Sequence, residues 1–156
     1  MENLGPVTDI ALRLFLALVL GGLVGLEREW QRKAAGLRTH MIVSLGSATF
    51  TVAGLEMYRQ LDLLGIEATR MDPLRVIQGV IGGIGFLGAG TIIQSRGSVE
   101  GLTTAGSLWM VGAVGVASGG GHYTIAVLSV VMGLIILVGV GFLQNKHRGK
   151  TPNREG

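Results

Sequence analysis

The chain has 156 residues, of which 48% are hydrophobic and 15% are charged, and its mean hydropathy is +0.53. Soluble domains carry about 25% charged residues and about 7% glycine, whereas this chain has fewer charged residues and 27 glycines among its 156 residues. This composition excludes an ordinary soluble domain and a disordered chain, and it is typical of a membrane protein. The absence of cysteine excludes disulfides and cysteine nucleophiles. The net charge of +3 comes without a basic face interleaved with aromatic residues, so we expect no nucleic-acid binding.

The first apolar run, residues 10–26, predicts a transmembrane helix that carries one charge, Arg13. Its basic cluster follows the apolar run, whereas a cleaved signal peptide has positive charges before it, so we expect the helix to stay in the membrane. Gly21 and Gly25 form a G-x-x-x-G pair, which predicts a helix-contact face.

Four further spans follow, and together they predict an all-α polytopic membrane protein with five transmembrane helices packed through glycine-rich faces. The second span carries Glu56 near its far end, and the third begins after Asp72 and a proline that suits a first helical turn. The predicted spans are residues 10–26, 37–58, 74–94, 101–118 and 123–143, within a membrane domain of residues 1–143, and residues 144–156 form a basic tail.

Residues 78–91 combine strong hydrophobicity with six glycines, at 79, 82, 83, 85, 88 and 90. Such a segment is a poor helix in water but a closely packing one in lipid, so we predict that it is the packing centre of the bundle. Residues 83–88 also match the dinucleotide-binding pattern G-x-G-x-x-G. The preceding strand, the water-facing helix and the later acidic residue that this pattern needs are missing, so we reject nucleotide binding.

The distribution of lysine and arginine predicts the orientation. Nine lie in the 27–40 loop, the 95–100 turn and the tail, and four lie on the other side. The positive-inside rule therefore predicts an outside N-terminus and a cytoplasmic C-terminus.

The densest polar cluster lies at the joint between the first two spans. Acids stand here beside an imidazole and a hydroxyl, where positive charge alone would suffice for topology, so we predict a functional contact site. The alternative is a solvated turn with local ion pairs and interfacial anchors. The members of this joint cluster are Glu27, Arg28, Glu29, Arg38, Thr39 and His40.

A second cluster is predicted near the opposite side of the membrane. Arg13 and Glu56 are each costly alone in hydrocarbon, so we expect them to pair between helices. Glu56 and Asp72 are weak candidates for magnesium ligands, although their spacing does not demand a metal. The predicted outer cluster is Arg13, Glu56, Asp72, Arg75 and Gln78.

The third and fourth spans could pack helices or line an ion pathway. Near the middle of the membrane the sequence has no Asp, Glu, Lys or His, which weighs against proton coupling. It also has no Ser/His/Asp arrangement, no H-x-x-x-H and no phosphate loop, so we do not expect an enzyme. The packing or pathway candidates are Gly83, Gly85, Gly88, Gly90, Thr91, Thr103, Thr104 and Trp109.

Four strings, in order, resemble the MgtC/SapB family of bacterial inner-membrane proteins over residues 8 to about 143. They are residues 25–29 (GLERE), 35–40 (AGLRTH), 83–91 (GIGFLGAGT) and 99–105 (VEGLTTA), followed by Leu108-Trp109. The resemblance implies a five-helix membrane domain linked to growth at low magnesium and, in some pathogens, to survival inside host cells. In its best-known branch it implies regulation through membrane partners, including inhibition of the ATP synthase.

The chain differs from that branch at two places. It reads Leu102-Thr103-Thr104 and Leu108-Trp109-Met110 where that branch tends to read Leu-Asn-Thr and Leu-Trp-Cys, and it ends soon after the fifth span, where that branch adds an ACT-like domain. It therefore resembles the short SapB-type form.

The resulting hypothesis is a non-enzymatic regulator of a membrane partner in adaptation to low magnesium, and the alternative is a channel or carrier for magnesium or another cation. We expect an inner-membrane homo-oligomer, with a dimer favoured, and no cofactor other than a magnesium ion.

Overall fold

The computed structural model describes residues 6–65, 72, 74–95 and 98–140. Helices dominate it, and the predicted all-α polytopic class is confirmed. The helices are α1 (Pro6–Trp30), α2 (Leu37–Leu63), α3 (Leu74–Ala89), α4 (Leu102–Gly119) and α5 (Tyr123–Leu134), and a π-helical segment, Ile135–Val140, continues α5. The strands β1 (Ile93–Ser95) and β2 (Ser98–Glu100) lie between α3 and α4.

Four of these helices are long and apolar enough to cross a membrane: Val7–Trp30, Leu37–Leu63, Leu102–Gly119 and Tyr123–Val140. The helix α3 has 16 residues, which corresponds to about 24 Å at 1.5 Å per residue. The protein is therefore a membrane protein, and α3 is shorter than each of these four spans.

The helix α4 lies at the centre of the bundle, where it contacts α1, α2, α3 and α5. The main core cluster joins α1, α4 and α5 through buried apolar side chains. These are Leu20, Val24, Val111, Val114, Ala126 and Val130. Small residues let α2 approach α4 closely, because a β-carbon at Gly115 or Gly119 would overlap the carbonyl oxygen of Ser44 or Ala48.

The predicted contact face of α1 is present. A β-carbon at Gly21 would lie 2.6 Å from Ser44 Cβ, and one at Gly25 would lie 2.8 Å from Leu37 Cα. Both contacts are with α2, so the G-x-x-x-G pair brings these two helices together.

The prediction that the glycines of α3 form the packing centre is wrong within the single chain. The buried residues of α3 are Val80, Ile84 and Gly88, and a β-carbon at Gly79, Gly82, Gly83 or Gly85 would meet nothing within 4 Å. Ile84 packs against Gly112 of α4, whereas these four glycines have open space around them.

The end of α3 also differs from the predicted span of residues 74–94. The helix ends at Ala89, and Thr91 closes it by donating its Oγ1 hydrogen to Gly88 O at 2.8 Å. An antiparallel hairpin follows, with Ile93 opposite Glu100 and Ser95 opposite Ser98. Gly101 then turns the chain into α4 with φ of +87°, a conformation that favours glycine. The predicted tail, residues 144–156, lies outside the described residues.

Candidate functional site

The last turn of α1 carries two charged side chains into the protein. Glu27 follows Leu20 and Val24 on the face that meets the core, and Arg28 follows Gly21 and Gly25 on the face that meets α2. Both side chains are buried, with exposures of 7% for Glu27 and 3% for Arg28. These two side chains therefore belong to the interior of the joint and not to its surface.

These two side chains form a buried ion pair in which Arg28 Nε donates to Glu27 Oε2. The other carboxylate oxygen, Glu27 Oε1, is also buried and has no hydrogen-bond partner among the described residues. A buried carboxylate oxygen without a donor costs free energy of folding. This end of the bundle therefore contains a charged acceptor that most protein interiors would satisfy.

His40 connects three elements at the same place. Its side chain is fully buried, and a β-carbon at Gly25 of α1 would lie 3.0 Å from His40 Cβ. His40 Nδ1 lies 2.8 Å from Gly36 O, at the start of α2, and Nε2 lies 3.0 Å from Ser107 Oγ of α4. Ser107 Oγ in turn lies 2.8 Å from Thr104 O.

Glu29 has a different role from its two neighbours. Its exposed side chain extends to the start of α2, where Oε2 accepts a hydrogen bond from Leu37 N at 2.8 Å. It therefore satisfies one of the free amides at the helix N-terminus, where a negative charge is also favourable.

The joint cluster thus divides into two parts. Glu27 and Arg28, an ion pair, and His40, bonded to Gly36 and Ser107, are buried, and we call these three residues the buried network. The remaining predicted residues, Glu29, Arg38 and Thr39, are exposed. The sequence interpretation did not connect Ser107 to the joint. Ser107 follows Thr104 by three residues, so both hydroxyls lie on one face of α4. This spacing was the sequence signal that could have identified Ser107.

The packing or pathway candidates do not share one surface. Gly83 and Gly85 face open space, whereas Gly88 lies against Ala105 of α4 at 3.5 Å from the position of a β-carbon. Thr104 is buried, whereas Thr103 and Trp109 are exposed, and Gly90 and Thr91 lie in the turn after α3.

The open side of α3 borders a cleft of ≈ 560 Å³ between α2 and α3. Its lining is almost entirely apolar and includes Phe50, Val76, Gly79 and Gly83. A smaller cleft lies between α4 and α5.

The outer cluster has mostly local partners. Arg13 pairs with Asp9 at 2.7 Å and donates to Gly119 O at 3.0 Å, while Glu56 pairs with Arg59 at 3.1 Å. The ion pair predicted between Arg13 and Glu56 is not among the described contacts, because each finds a partner of opposite charge within one turn of its own helix.

The other members of the outer cluster lie near the start of α3. Asp72 Oδ1 accepts a hydrogen bond from Leu74 N at 2.8 Å, as expected at a helix start, and Arg75 and Gln78 are exposed. Among residues 6–65, 72, 74–95 and 98–140, no three His, Asp or Glu side chains are placed to hold one metal ion.

The comparison with known proteins agrees with the four strings found in the sequence. The model of the family described as "MgtC family" matches residues 14–146. The chain belongs to the MgtC family.

Curated relatives of this MgtC-family protein come from several bacteria. It is 37% identical over 129 residues to "Putative magnesium transporter YhiD" of Escherichia coli K12, which covers 83% of this chain and 59% of YhiD. It is 35% identical over 147 residues to "Protein SapB" of Bacillus subtilis, covering 94% of this chain and 61% of SapB. It is 39% identical over 126 residues to "Protein MgtC" of Brucella abortus, covering 81% of this chain and 49% of that MgtC.

The chain thus spans about half to three fifths of the length of these relatives. SapB also extends beyond the matched region, so similarity to SapB does not by itself distinguish a short form. No solved structure matches the chain.

The four family-like strings gather at one end of this MgtC-family protein. The first ends α1, the second leads into α2, the third ends α3, and the fourth joins β2 to α4. Contacts link them in pairs: Gly25 lies against His40, Gly88 meets Ala105, and Gly101 lies against Thr91 O. His40 of the second string also bonds Ser107, two residues after the fourth. We call this end, with its buried network and the exposed residues around it, the joint end.

Proposed function

We propose that this protein is a non-enzymatic regulator in magnesium-linked membrane physiology, and that its joint end contacts a membrane protein partner. The observation that carries the proposal is the convergence of the four strings on the joint end. A transport pathway along α3 and α4 would instead place the characteristic residues along the depth of the membrane.

The exposed part of the joint end suits a contact surface. Trp30 is 81% exposed, and Arg38 and Thr39 are exposed on the first turn of α2. Aromatic and arginine side chains are frequent at the centres of protein interfaces. The buried network and the Glu29 cap beneath them hold these side chains on rigid helix ends, which lowers the entropy cost of binding.

The contact surface is tested with Arg38→Ala and Thr39→Ala in a strain that lacks the protein. We expect both variants to accumulate normally, to lose most growth support at low magnesium and to co-purify less membrane partner. Arg59→Ala, an exposed arginine near the opposite end of α2, is the matched control and should retain growth support. Full support from both joint-end variants would contradict the proposal.

The alternative is a channel or carrier for magnesium or another cation, and the name of the YhiD relative, a putative magnesium transporter, favours it. Magnesium would then be the cargo. The purified protein in sealed proteoliposomes should give a gradient-driven magnesium signal that protein-free vesicles lack, and Gly85→Trp or Thr104→Leu should block it. No signal from folded protein would remove this alternative.

We also propose that the protein is an inner-membrane homo-oligomer, most simply a dimer. The open glycine face of α3 supports this, since small residues allow close helix approach in lipid. The proposed orientation places the N-terminus outside and the joint end in the cytoplasm, as the positive-inside rule predicts.

A further inference from the structure

The buried imidazole of His40 has two different hydrogen-bond neighbours. On one side, Nδ1 lies 2.8 Å from Gly36 O. A carbonyl oxygen only accepts, so Nδ1 must carry a hydrogen. On the other side, Nε2 lies 3.0 Å from Ser107 Oγ, a hydroxyl that can either donate or accept. The protonation state of Nε2 therefore decides which way this second hydrogen bond runs.

Counting hydrogens distinguishes the two states. Ser107 Oγ also lies 2.8 Å from Thr104 O, but a serine hydroxyl has one hydrogen to donate. With a neutral imidazole, Ser107 gives that hydrogen to His40 Nε2 and makes no bond to Thr104 O. With a charged imidazole, Nε2 donates to Ser107 Oγ, and the hydroxyl hydrogen turns to Thr104 O. Only the charged state fills all three contacts.

Charges of both signs lie near His40. From α1, Arg28 disfavours a charged imidazole and Glu27 favours one. Glu27 Oε1 is buried without a donor, and a buried charge is tolerated when an opposite charge is near.

The other packed elements contribute no buried charge. The helices α4 and α5 contain no charged residue, and the single charge of α3, Arg75, lies at its far end. Among the residues that the structure describes, the remaining charged groups near the joint end are exposed: Glu29, Arg32, Lys33, Arg38 and Glu100.

We propose that His40 and Ser107 form a proton-binding site at the joint end, with Glu27 as the counter-charge. Its ligand is a proton from the adjacent aqueous phase. The proton binds Nε2 and rotates the Ser107 hydroxyl from His40 to Thr104, so its occupancy changes the hydrogen bonds that link α2 to α4. The site is independent of whether the protein regulates a partner or moves an ion.

The test is ¹⁵N NMR of the full chain, labelled at histidine and reconstituted in lipid nanodiscs, from pH about 8 to about 5. Three histidines are present, and His40→Gln assigns the His40 signals. At high pH we expect one protonated nitrogen, Nδ1, and one bare nitrogen, Nε2, and both protonated on acidification. A His40 that keeps one state throughout, or that carries its neutral hydrogen on Nε2, would overturn the proposal.

Ser107→Ala tests the role of the hydroxyl. Hydrogen bonds to charged groups are about twice as strong as neutral ones, so this variant should lower the charged-to-neutral ratio of His40 about 5- to 10-fold at a given acidic pH. Ser107→Thr, which keeps the hydroxyl, should restore the ratio.

The matched control is Ser118→Ala, which removes another buried hydroxyl of α4 that bonds Val114 O within the helix. It should leave the ratio unchanged. If Ser107→Ala and Ser118→Ala change the ratio equally, or if neither changes it, Ser107 is not part of the site.

Discussion

Adjacent residues at the joint end have opposite surroundings. Glu27 and Arg28 are buried, whereas Glu29 is exposed and caps α2. One turn of helix spans 3.6 residues, so three successive side chains necessarily point in different directions. The sequence predicts one contact surface from these three charged residues. In the structure they form two separate features, a buried ion pair and a helix cap.

The cap predicts a specific loss of stability. Glu29→Ala removes the acceptor for Leu37 N and should lower the free energy of unfolding by about 1 kcal/mol, as other cap removals do. Glu29→Gln, which keeps an acceptor oxygen, should recover most of that loss. Reversible unfolding in mixed detergent micelles measures both, and equal effects of the two variants would argue against capping.

Arg32 carries backbone strain at the end of α1. Its φ is +52°, and Lys33 N bonds Arg28 O at 3.0 Å while Arg32 N bonds Glu29 O at 2.9 Å. This pattern is a Schellman cap, in which glycine is the usual residue at the left-handed position.

Arg32→Gly should therefore stabilise the protein by about 1 kcal/mol, because glycine adopts positive φ without steric cost. The same unfolding measurement checks this, with Arg38→Ala as the control for loss of an exposed arginine near the joint. An Arg32→Gly variant that is less stable than the wild type would mean that the side chain contributes more than its strain costs.

At the scale of helices, glycine has two roles in this bundle. Gly115 of α4 lies against Ser44 O of α2, whereas Gly83 of α3 faces open space. Gly115 allows α2 and α4 to approach each other, whereas Gly83 leaves one face of α3 uncovered.

These roles predict opposite effects of one methyl group. Gly115→Ala forces α2 and α4 apart and should cost about 1–3 kcal/mol. Gly83→Ala meets no neighbour within the chain and should be neutral or add up to about 1 kcal/mol through better helix propensity. Thermal unfolding in detergent compares the two, and a destabilising Gly83→Ala would indicate that this face is covered in the assembled protein.

At the scale of the whole molecule, the order of the helices determines the orientation of every turn. The chain contains no cysteine, so single cysteines provide clean labels. Lys33→Cys in the α1–α2 turn should react with an impermeant maleimide only after cells are opened, and His122→Cys in the α4–α5 turn should react in intact spheroplasts. The reverse pattern would invert the proposed topology.

Self-association belongs to the same scale. The mass of the detergent-solubilised protein, measured by light scattering with the detergent contribution subtracted, should equal two chains. Gly83→Leu should reduce it to one chain if the open face of α3 forms the contact. The control is Gly106→Leu on α4, another glycine with open space around it that does not line the cleft between α2 and α3. A wild-type protein that is monomeric at all detergent ratios would contradict the proposed dimer.

The sequence by itself determined the membrane class, the approximate helix positions and the polar joint, because hydropathy and charge act locally along the chain. It also indicated the contact face of Gly21 and Gly25. Only the tertiary structure decided that Glu27 and Arg28 are buried, that most α3 glycines face outward, and that His40 meets Ser107 from 67 residues away. These outcomes depend on the rotation of each helix about its axis, which is set by the neighbours it packs against.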